Sequence, residues 1–366
     1  MNHRAEVRVD LEAIAHNISV VRGDSTAEVL AVVKANAYGH GLVPVAKRAL
    51  ESGATWLGVA LLEEAFELRA AGITSPIIAW LTPPGSDFEA AIQQNIDLSI
   101  PSIDLLHEIS EASKKIGKKA RVHLEVDTGM TRGGILEEWE EILPQLKECE
   151  LEIIGLWTHF ARADEPTSDY TDKQLHIFRD RLAELKSAGI APKYIHYSNS
   201  AASIRELGNA HNILRVGIAL YGLSPDRTFM GSSESLALRP AMSISAKLQL
   251  VKTVPAGSPV GYGGTAVTTA RTTLGIVTMG YSDGIPRNAD STAGVTYKGE
   301  RAPIIGRVSM DQFVVDLGPD SPARAGEEVQ VIGEDGYSAD DWANASGTIN
   351  YEIVTRIAAR VPRIYA

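Results

Sequence analysis

One lysine stands where a reactive amine would be expected. Lys34 follows the apolar run Val29–Val33 and precedes the segment NAYGHG. A lysine amine is nucleophilic only when it is neutral, and the apolar end of a strand favours the neutral form by desolvation. Gly39 and Gly41 permit a tight turn, and the hydroxyl of Tyr38 can contact an anion. Lys34 alone would indicate a solvated residue that ends a strand, but the segment after it favours a binding site.

Two later segments offer hydrogen-bond donors suited to a phosphate group. HYSNSAAS places Asn199 and Ser200 after the seventh predicted strand, and LRVGIALYG places Gly217 and Ile218 after the eighth. Backbone amides near a helix start bind phosphate, and barrels often bind it at the loops after their last two strands. An ordinary turn and a closely packed glycine are the alternatives, but the agreement of position favours a phosphate site.

Other candidates for chemistry end strands or lie in glycine-rich loops. Arg215 ends the eighth predicted strand, and His159 follows the sixth in GLWTHFARADE; an ion pair and a structural histidine are the simpler interpretations. Tyr262 and Tyr281 lie in PVGYGGTA and TMGYSDGIPR, between glycines and turn residues, where a side chain projects from a loop. Taken alone, both tyrosines would be predicted to cap turns.

The elements that position these residues alternate along the first part of the chain. Apolar runs of the kind buried on both faces are separated by helical patterns such as Leu61–Ala71 and Asp172–Ala188. Such alternation predicts parallel strands in a (β/α)₈ TIM-like barrel, with an open doubly wound sheet as the alternative. No G-x-G-x-x-G motif follows the first strand, which weakens a dinucleotide-binding version of that sheet. The eight strand candidates are Val29–Ala35, Trp56–Ala60, Pro76–Trp80, Asp97–Ile100, Arg121–Val126, Ile153–Thr158, Tyr194–Tyr197 and Ile213–Val216.

The pattern changes after about Leu223. A loop-like segment, SPDRTFMGSSES, leads into short β-rich stretches punctuated by Gly and Pro, which predict a mainly β C-terminal domain. Thr348–Val361 is predicted to be helical. We therefore expect a barrel over residues 1–223, whose first few residues pack with the second domain, and a β domain over residues 224–366. The β-rich stretches are Met242–Val251, Thr273–Met279, Ala302–Ile305, Gln312–Asp316 and Glu328–Ile332.

Composition restricts the partners and the compartment. The 366 residues carry 46 acidic and 35 basic side chains, a formal net charge of -11, which disfavours nucleic acid as a partner. The single cysteine, Cys149, can form neither an internal disulfide nor a cysteine-rich metal site, and no metal is expected. No secretory signal and no apolar run of about 18 residues is present, so we expect no membrane association and a cytoplasmic location.

The motif around Lys34 resembles that of a known family. VVKANAYGHG resembles the cofactor-attachment signature of the alanine racemases, a fold type III family that uses pyridoxal 5′-phosphate (PLP), and the resemblance covers nearly the whole chain. It implies an isomerase that interconverts L- and D-alanine, supplying D-alanine for peptidoglycan. It also implies a Schiff base between PLP and Lys34, and a head-to-tail homodimer in which the second domain reaches the partner's active site.

The resemblance assigns roles to individual positions. It implies two bases on opposite faces of the substrate carbon, Lys34 and Tyr262, with Tyr281 as a gate at the entrance. Residues that would bind or flank the cofactor are Tyr38, Trp80, His159, Asn199, Ser200, Arg215, Gly217, Ile218 and Tyr351. Residues that would contact the substrate are Arg132, Tyr281, Met310 and Asp311, with the amide of Met310 towards the substrate carboxylate.

The implied position of Arg215, at the pyridine nitrogen of PLP, has a chemical consequence. A carboxylate there would keep the ring protonated and maximise its capacity to accept electrons. An arginine is already charged and cannot accept that proton, so the ring stays unprotonated and a long-lived carbanion is disfavoured. This suits racemisation, in which a persistent carbanion invites side reactions.

The segment HLEVDTGMTRGG contains both a match and a departure. Arg132 matches the arginine that contacts the cofactor phenolic oxygen and the substrate carboxylate, while Asp127 and Thr128 continue the motif. Many relatives have a carbamylated lysine seven residues earlier, where this chain has Glu125. We predict that Glu125 supplies the missing anion directly; a polar residue that merely fills the barrel interior is the alternative. Ser309 replaces a cysteine of some relatives, with little expected effect.

Two other functions remain open from the sequence. Basic amino-acid decarboxylases also combine a PLP barrel with a β domain, but they would be expected to have an acidic residue at the ring nitrogen and a cysteine-bearing motif in the second domain. Arg215, and Cys149 in the first domain, argue against that function. A PLP-storage protein would consist of the barrel alone, and the long second domain argues against it.

Overall fold

The computed structural model describes residues 3–208 and 211–366. Contacts divide the chain into two compact units. The barrel unit comprises Ile14–Ala37 and Leu42–Arg239, and the β unit comprises the residues up to Ala13, Tyr38–Gly41 and Pro240–Ala366. Each unit is therefore discontinuous in sequence.

Strands and helices alternate from the start of the chain to the end of the barrel unit. The strands are Ala5–Val9 (β1), Glu28–Val32 (β2), Trp56–Val59 (β3), Ile77–Ala79 (β4), Ile96–Ile100 (β5), Ala120–Glu125 (β6), Leu151–Trp157 (β7), Tyr194–His196 (β8) and Ile213–Val216 (β9). The helices are Leu11–Arg22 (α1), Leu42–Glu51 (α2), Leu62–Ala70 (α3), Phe88–Gln93 (α4), Ile103–Ile116 (α5), Trp139–Gln145 (α6), Tyr170–Ser187 (α7), Ser200–Ile204 (α8) and Arg227–Met230 (α9).

Strands β2 to β9 form the predicted eight-stranded parallel barrel. Their order is β8-β7-β6-β5-β4-β3-β2-β9, so the first barrel strand pairs with the last, with Leu30 opposite Arg215. The sheet is nearly closed between β8 and β9, where Asn212 donates its amide to the Ile195 carbonyl at 3.0 Å. The side-chain oxygen of Asn212 accepts the Ile195 amide at 2.8 Å. All eight strand predictions are confirmed, and the open-sheet alternative is wrong.

The apolar sequence of these strands explains the closed sheet. Strands β3, β4, β5 and β9 are buried along their whole length, because helices cover one face and the barrel interior the other. Helices α3 and α7 confirm the two predicted helical patterns. Both helix patterns stop before glycines with positive φ, Gly72 and Gly189, which can adopt this conformation without the strain of a Cβ.

The β unit is built on a mainly antiparallel sheet. Its sheet order is β15-β14-β17-β10-β1-β18, with β13 pairing both β10 and β16, while β11 and β12 form a separate pair. The strands after β9 are Met242–Val254 (β10), Pro259–Val260 (β11), Ala266–Val267 (β12), Thr272–Val277 (β13), Gly294–Tyr297 (β14), Glu300–Pro303 (β15), Phe313–Asp316 (β16), Glu328–Ile332 (β17) and Arg363–Tyr365 (β18). Two helices complete the unit, Ala339–Ser346 (α10) and Asn350–Thr355 (α11).

The observed β unit contains more elements than the sequence predicted. The five predicted stretches correspond to β10, β13, β15, β16 and β17, but β14 and the short pair β11–β12 were not predicted. Thr348–Val361 contains only one and a half turns of α-helix, α11, because the chain turns after Thr355 and leads into β18. The loop-like segment after Leu223 contains α9 and a 3₁₀ turn at Glu234–Leu236.

Candidate active site

The barrel mouth collects most of the predicted site residues of the barrel unit. The carboxyl ends of parallel strands all meet at one end of a barrel, which is where barrel enzymes place their chemistry. The residues that follow or end strands there are Lys34 after β2, Trp80 after β4, Glu125 at the end of β6, His159 after β7, Asn199 and Ser200 after β8, and Arg215, Gly217 and Ile218 at and after β9. Arg132 lies in the loop after β6.

The amine of Lys34 lies among positive charges. Burial lowers the pKa of Lys34, Arg132 and Arg215 lower it further, and Glu64 opposes them. Each cation disfavours a second positive charge at the lysine, so the amine loses its proton more readily than an exposed lysine does. This is the state in which an amine can attack a carbonyl carbon.

The backbone after Lys34 forms a left-handed turn. Four consecutive residues, Ala35 to Tyr38, have φ between 51° and 54°, although none is glycine. Left-handed backbone is costly for residues with a Cβ and persists only where surrounding contacts hold it. Here the Ala37 amide donates to the Val33 carbonyl at 2.8 Å, and the side-chain oxygen of Asn36 accepts the Leu42 amide at 2.8 Å.

Glu64 lies near the start of α3, and its contacts were not predicted from the sequence. Its Oε1 accepts the amide of Ala35 at 2.6 Å, while Oε2 accepts the amides of Ala60 and Leu61 at 2.9 and 3.1 Å. One carboxylate therefore joins the end of β3 to the residue directly after Lys34. The only sequence signal was a glutamate in the first turn of a predicted helix, which also indicates an ordinary cap.

Arg215 is buried, and all four of its terminal N–H groups have acceptors. Nη1 lies 2.8 Å from the His196 carbonyl oxygen and 3.1 Å from His196 Nδ1. Nη2 lies 2.8 Å from the Thr158 carbonyl oxygen and 3.3 Å from His159 Nδ1. A guanidinium has five N–H donors, so within the described part of the chain Nε–H is the donor left without a protein acceptor.

Electrostatics of the same group keep the histidine neutral and the arginine charged. Burial lowers the pKa of Arg215 to about 9, which still leaves the guanidinium charged at neutral pH. Burial lowers the pKa of His159 well below its usual range, and Arg215, Arg132 and Lys34 add to the effect. The Nδ1 of neutral His159 can then accept a hydrogen bond from Arg215 Nη2, which lies 3.3 Å away.

The predicted phosphate donors converge after β8 and β9. Ser200 Oγ accepts the amide of Gly217 at 2.9 Å and that of Ala219 at 3.3 Å. Gly217 also directly precedes the 3₁₀ turn Ile218–Tyr221, so the amides of Ile218 and Ala219 are the first of this turn. Asn199 uses its side-chain oxygen differently, because it caps α8 by accepting the Ala202 amide at 3.0 Å.

Glu125 and Arg132 line one small cavity together with Asp127 and His159. Burial raises the pKa of Glu125 to about 7, whereas Arg132, Arg215 and a hydrogen bond with Ser99 lower it. Among the described residues, no ion pair joins Glu125 directly to Arg132. Glu125 and Arg132 therefore interact electrostatically across this cavity, without a direct ion pair.

Trp80 occupies the mouth because a glycine leaves it room. A Cβ on Gly58 of β3 would lie 2.2 Å from the indole ring of Trp80. The ring packs at a tilt against Trp157, with ring centroids 6.1 Å apart. Trp80 therefore forms part of the wall beside Arg215, whose guanidinium carbon lies 5.0 Å from the Trp157 ring centroid.

Within the β unit, Tyr38 and Tyr351 lie close together, with ring centroids 6.3 Å apart. Tyr38 is buried, and burial raises its pKa, so it stays a neutral hydroxyl. Gly39 has φ +82°, and a Cβ there would lie 2.2 Å from the Val354 carbonyl oxygen of α11. This glycine therefore allows the segment Tyr38–Gly41 to approach the helix that contains Tyr351.

The remaining predicted residues form a second group in the β unit. Tyr281 donates its amide to the Ser309 carbonyl at 3.0 Å, and the next residue, Ser282, donates to the Met310 carbonyl at 2.9 Å. Asp311 is exposed but paired, because Arg360 Nη2 lies 2.5 Å from its Oδ1. Tyr281, Met310 and Asp311 are thus brought together.

Tyr262 is highly exposed, with 69% of its surface accessible. It begins a 3₁₀ turn, Tyr262–Gly264, between glycines with positive φ at positions 261 and 263. The side chain therefore lies on the surface of its own unit.

The described residues offer neither a membrane-spanning helix nor a metal-binding cluster. None of the helices in that part of the chain is long and apolar enough to cross a bilayer. Nor does it contain a group of three or more His, Cys, Asp or Glu side chains that could hold a metal ion.

Comparison with known proteins matches both units. Residues 9–225 match the family model "Alanine racemase, N-terminal domain", and residues 241–365 match "Alanine racemase, C-terminal domain". The chain is 46% identical to the alanine racemase of Salinispora tropica, over 99% of this chain and 98% of that protein. It resembles the crystal structure of alanine racemase from Streptomyces lavendulae with a TM-score of 0.97 and 43% identity, over 100% and 98% of the chains. The Bacillus anthracis alanine racemase with bound L-Ala-P matches with a TM-score of 0.92 and 40% identity, over 100% and 96%.

Proposed function

The chain belongs to the alanine racemase family, and we propose that its barrel mouth holds PLP at Lys34 for the interconversion of L- and D-alanine. The observation that carries the proposal is the donor set around Lys34. A lysine of lowered pKa shares the mouth with a buried arginine whose Nε–H has no acceptor among the described residues and with the Ser200 hydroxyl, which accepts the Gly217 amide.

The residues present fit the three functional groups of PLP. The Lys34 amine suits an aldehyde, and the Nε–H of Arg215 suits an unprotonated ring nitrogen. The amide of Ile218 and the hydroxyl of Ser200, which already accepts the Gly217 amide, suit a phosphate. Trp80, His159, Asn199, Tyr38 and Tyr351 are proposed to complete the cofactor site. When bound, PLP draws electrons away from the bond between Cα and its hydrogen in the substrate.

The remaining steps belong to this chain's own residues. Racemisation requires removal of the α-proton on one face and its return on the other. We propose that Lys34 Nζ handles the proton on one face and Tyr262 Oη handles it on the opposite face. Arg132 would bind the substrate carboxylate, with Met310 and Asp311 beside it and Tyr281 at the entrance.

Arg215 determines how far charge accumulates during these steps. Arg215 is a permanent cation and not a carboxylate. It would therefore disfavour a proton on the ring nitrogen. PLP held in this way would supply only moderate electron withdrawal. Glu125 is proposed to stabilise Arg132 as an anion across their shared cavity.

A head-to-tail homodimer is part of the proposal. Tyr262 is highly exposed on its own unit, as expected for a side chain that acts in a partner's site. The single cysteine, Cys149, supports a cytoplasmic enzyme, where D-alanine would be supplied for peptidoglycan.

The test is a racemisation assay on the purified protein with PLP, following optical rotation from L-alanine and from D-alanine. The proposal predicts that both reactions converge on the same mixture and that a Lys34→Ala variant is inactive. Release of CO₂ from lysine or arginine would support a decarboxylase, and bound PLP without turnover would support a storage protein. Either result would overturn the proposal.

A further inference from the structure

A row of buried ionisable side chains leads from Arg215 into the barrel. It consists of His196 on β8, His123 on β6 and Asp97 on β5, none of which is more than 1% exposed. His196 Nδ1 lies 3.1 Å from Arg215 Nη1, and His196 Nε2 lies 2.8 Å from His123 Nδ1. His123 Nε2 lies 3.6 Å from Asp97 Oδ2, which in turn pairs with Arg121 at 3.0 Å. The proposed reaction steps make no use of the three inner side chains.

The arginine dictates where the hydrogens of both imidazoles lie. A guanidinium only donates, so His196 must accept at Nδ1 and carry its hydrogen on Nε2. That hydrogen then donates to His123 Nδ1, which leaves the hydrogen of His123 on Nε2, facing Asp97. Burial, His123 and Arg215 hold the pKa of His196 well below its usual range, which agrees with a neutral ring.

Packing around the row leaves little freedom for other arrangements. Gly155 on β7 provides the space for His123, because a Cβ there would lie 1.9 Å from His123 Nδ1. Trp157 stacks on His196 with an interplanar angle of 5° and a centroid distance of 6.0 Å. The same indole lies against Arg215. His123, His196 and Arg215 are therefore all packed against β7.

We propose that Asp97, His123 and His196 are positioning residues, which hold the Arg215 guanidinium so that its Nε–H is the donor left for the cofactor ring. The inference rests on the proposed function, because it assigns Arg215 to the ring nitrogen. It adds that the position of this donor is determined by three side chains that do not touch the cofactor. The directions of the two hydrogen bonds in the row follow from the charge of Arg215, and they leave the Nε2–H of His123 facing the Asp97 carboxylate at 3.6 Å.

Two variants of nearly equal size separate positioning from simple packing. His123→Asn places an oxygen close to the position of Nδ1, so it still accepts from His196. His123→Leu fills the same space without an acceptor and leaves a buried N–H unpaired. We expect His123→Leu to lower kcat by about 5- to 150-fold, with little change in KM, and to shift the absorbance of bound PLP. We expect His123→Asn to stay within about threefold of the parent in kcat.

The opposite ranking would overturn the proposal. If the row only fills space, leucine is the better apolar filler and serves at least as well as asparagine. His211→Leu is the matched control, because His211 bonds Tyr197 at 3.0 Å and is not in the row. This variant should retain the cofactor absorbance and kcat of the parent.

A second measurement does not depend on activity or on the stability of any variant. Histidine labelled with ¹⁵N in the PLP-bound parent protein should show His196 and His123 neutral, each with its hydrogen on Nε2. A hydrogen on Nδ1 of His196, or a charged ring at either position, overturns the proposal. Arg215→Lys separates it from the proposed function: if that variant leaves the cofactor absorbance unchanged, the role of Arg215 itself fails. If Arg215→Lys alters it and His123→Leu does not, only the positioning row fails.

Discussion

Glu64 accepts a 2.6 Å hydrogen bond from the amide of Ala35, the residue directly after Lys34. The same carboxylate accepts two amides at the end of β3, so it joins the left-handed turn to the neighbouring strand. Its negative charge also raises the pKa of Lys34 against the effects of burial and of Arg132. Glu64 therefore influences both the place and the protonation of the proposed cofactor lysine.

Glu64→Gln should lower the pKa of Lys34, because the one group that raises it loses its charge. An amide also has a single acceptor oxygen, so either Ala35 or the Ala60–Leu61 pair faces an NH₂ group, at a cost of about 1 kcal/mol. The measurement is the pH dependence of Lys34 modification by an amine-directed reagent in the PLP-free protein. The midpoint should move to lower pH.

Glu63→Gln is the control for this experiment. Glu63 lies beside Glu64 in the first turn of α3, but it is exposed. Its replacement should leave the midpoint in place. Equal midpoints for all three proteins would show that Glu64 has no electrostatic effect on the lysine.

Glu125→Gln should lower kcat/KM for alanine while PLP stays bound. Loss of the anion that faces Arg132 removes about 1–3 kcal/mol, or roughly 5- to 150-fold. Because the pKa of Glu125 is raised to about 7, the carboxylate forms as the pH rises through neutrality. The parent should gain kcat/KM over that range from this group, and the variant should lack this rise.

Stability should respond to the same group in the opposite direction. A carboxyl whose pKa is raised on folding stabilises the fold below its unfolded value of 4.5, and this contribution is lost as the pH rises through about 7. The Tm of Glu125→Gln should therefore improve relative to the parent between these pH values. Glu152→Gln, at an exposed position of β7, should show no such trend.

Added bicarbonate should not stimulate the parent protein, since Glu125 needs no carbamate. Stimulation by bicarbonate would show that another residue supplies a carbamylated anion. Full activity of Glu125→Gln at every pH would show that Glu125 is only a polar residue that fills space in the barrel interior.

Tyr262→Phe should damage the two directions of racemisation unequally. The substitution keeps the ring and removes only the hydroxyl that is proposed to handle the proton on one face. Exchange of the α-hydrogen with deuterated solvent, followed separately from L- and D-alanine, measures each face. Equal and negligible losses in both directions would remove Tyr262 from the mechanism and favour a single base.

Arg215→Glu should give bound PLP new absorbance at long wavelength and slow racemisation. A carboxylate beside the ring nitrogen favours its protonation, which strengthens the ring as an electron acceptor and prolongs the carbanion. The absorbance spectrum in the presence of alanine reports this directly. An unchanged spectrum and rate would place Arg215 away from the cofactor.

The barrel could be predicted from sequence because its strands are buried on both faces. Runs such as Val29–Val33 can be recognised as strands from their apolar composition alone. A residue that follows such a strand, such as Lys34, is then predicted to lie at the barrel mouth. The contacts of Glu64 and His123 could not be predicted, because barrel closure brings together residues from separate strands. Strand β18 was missed for a similar reason: it is three residues long and exists by pairing with β1 at the other end of the chain.

The most direct test of the account is the site of covalent attachment of PLP. Borohydride reduction of the PLP-loaded protein converts a Schiff base into a stable bond, and peptide mapping then locates the pyridoxyl group. The account predicts that the group is on Lys34, and that D- and L-alanine both protect against its formation. A pyridoxyl group on another lysine, or on none, would contradict the assignment of Lys34 and the mechanism that depends on it.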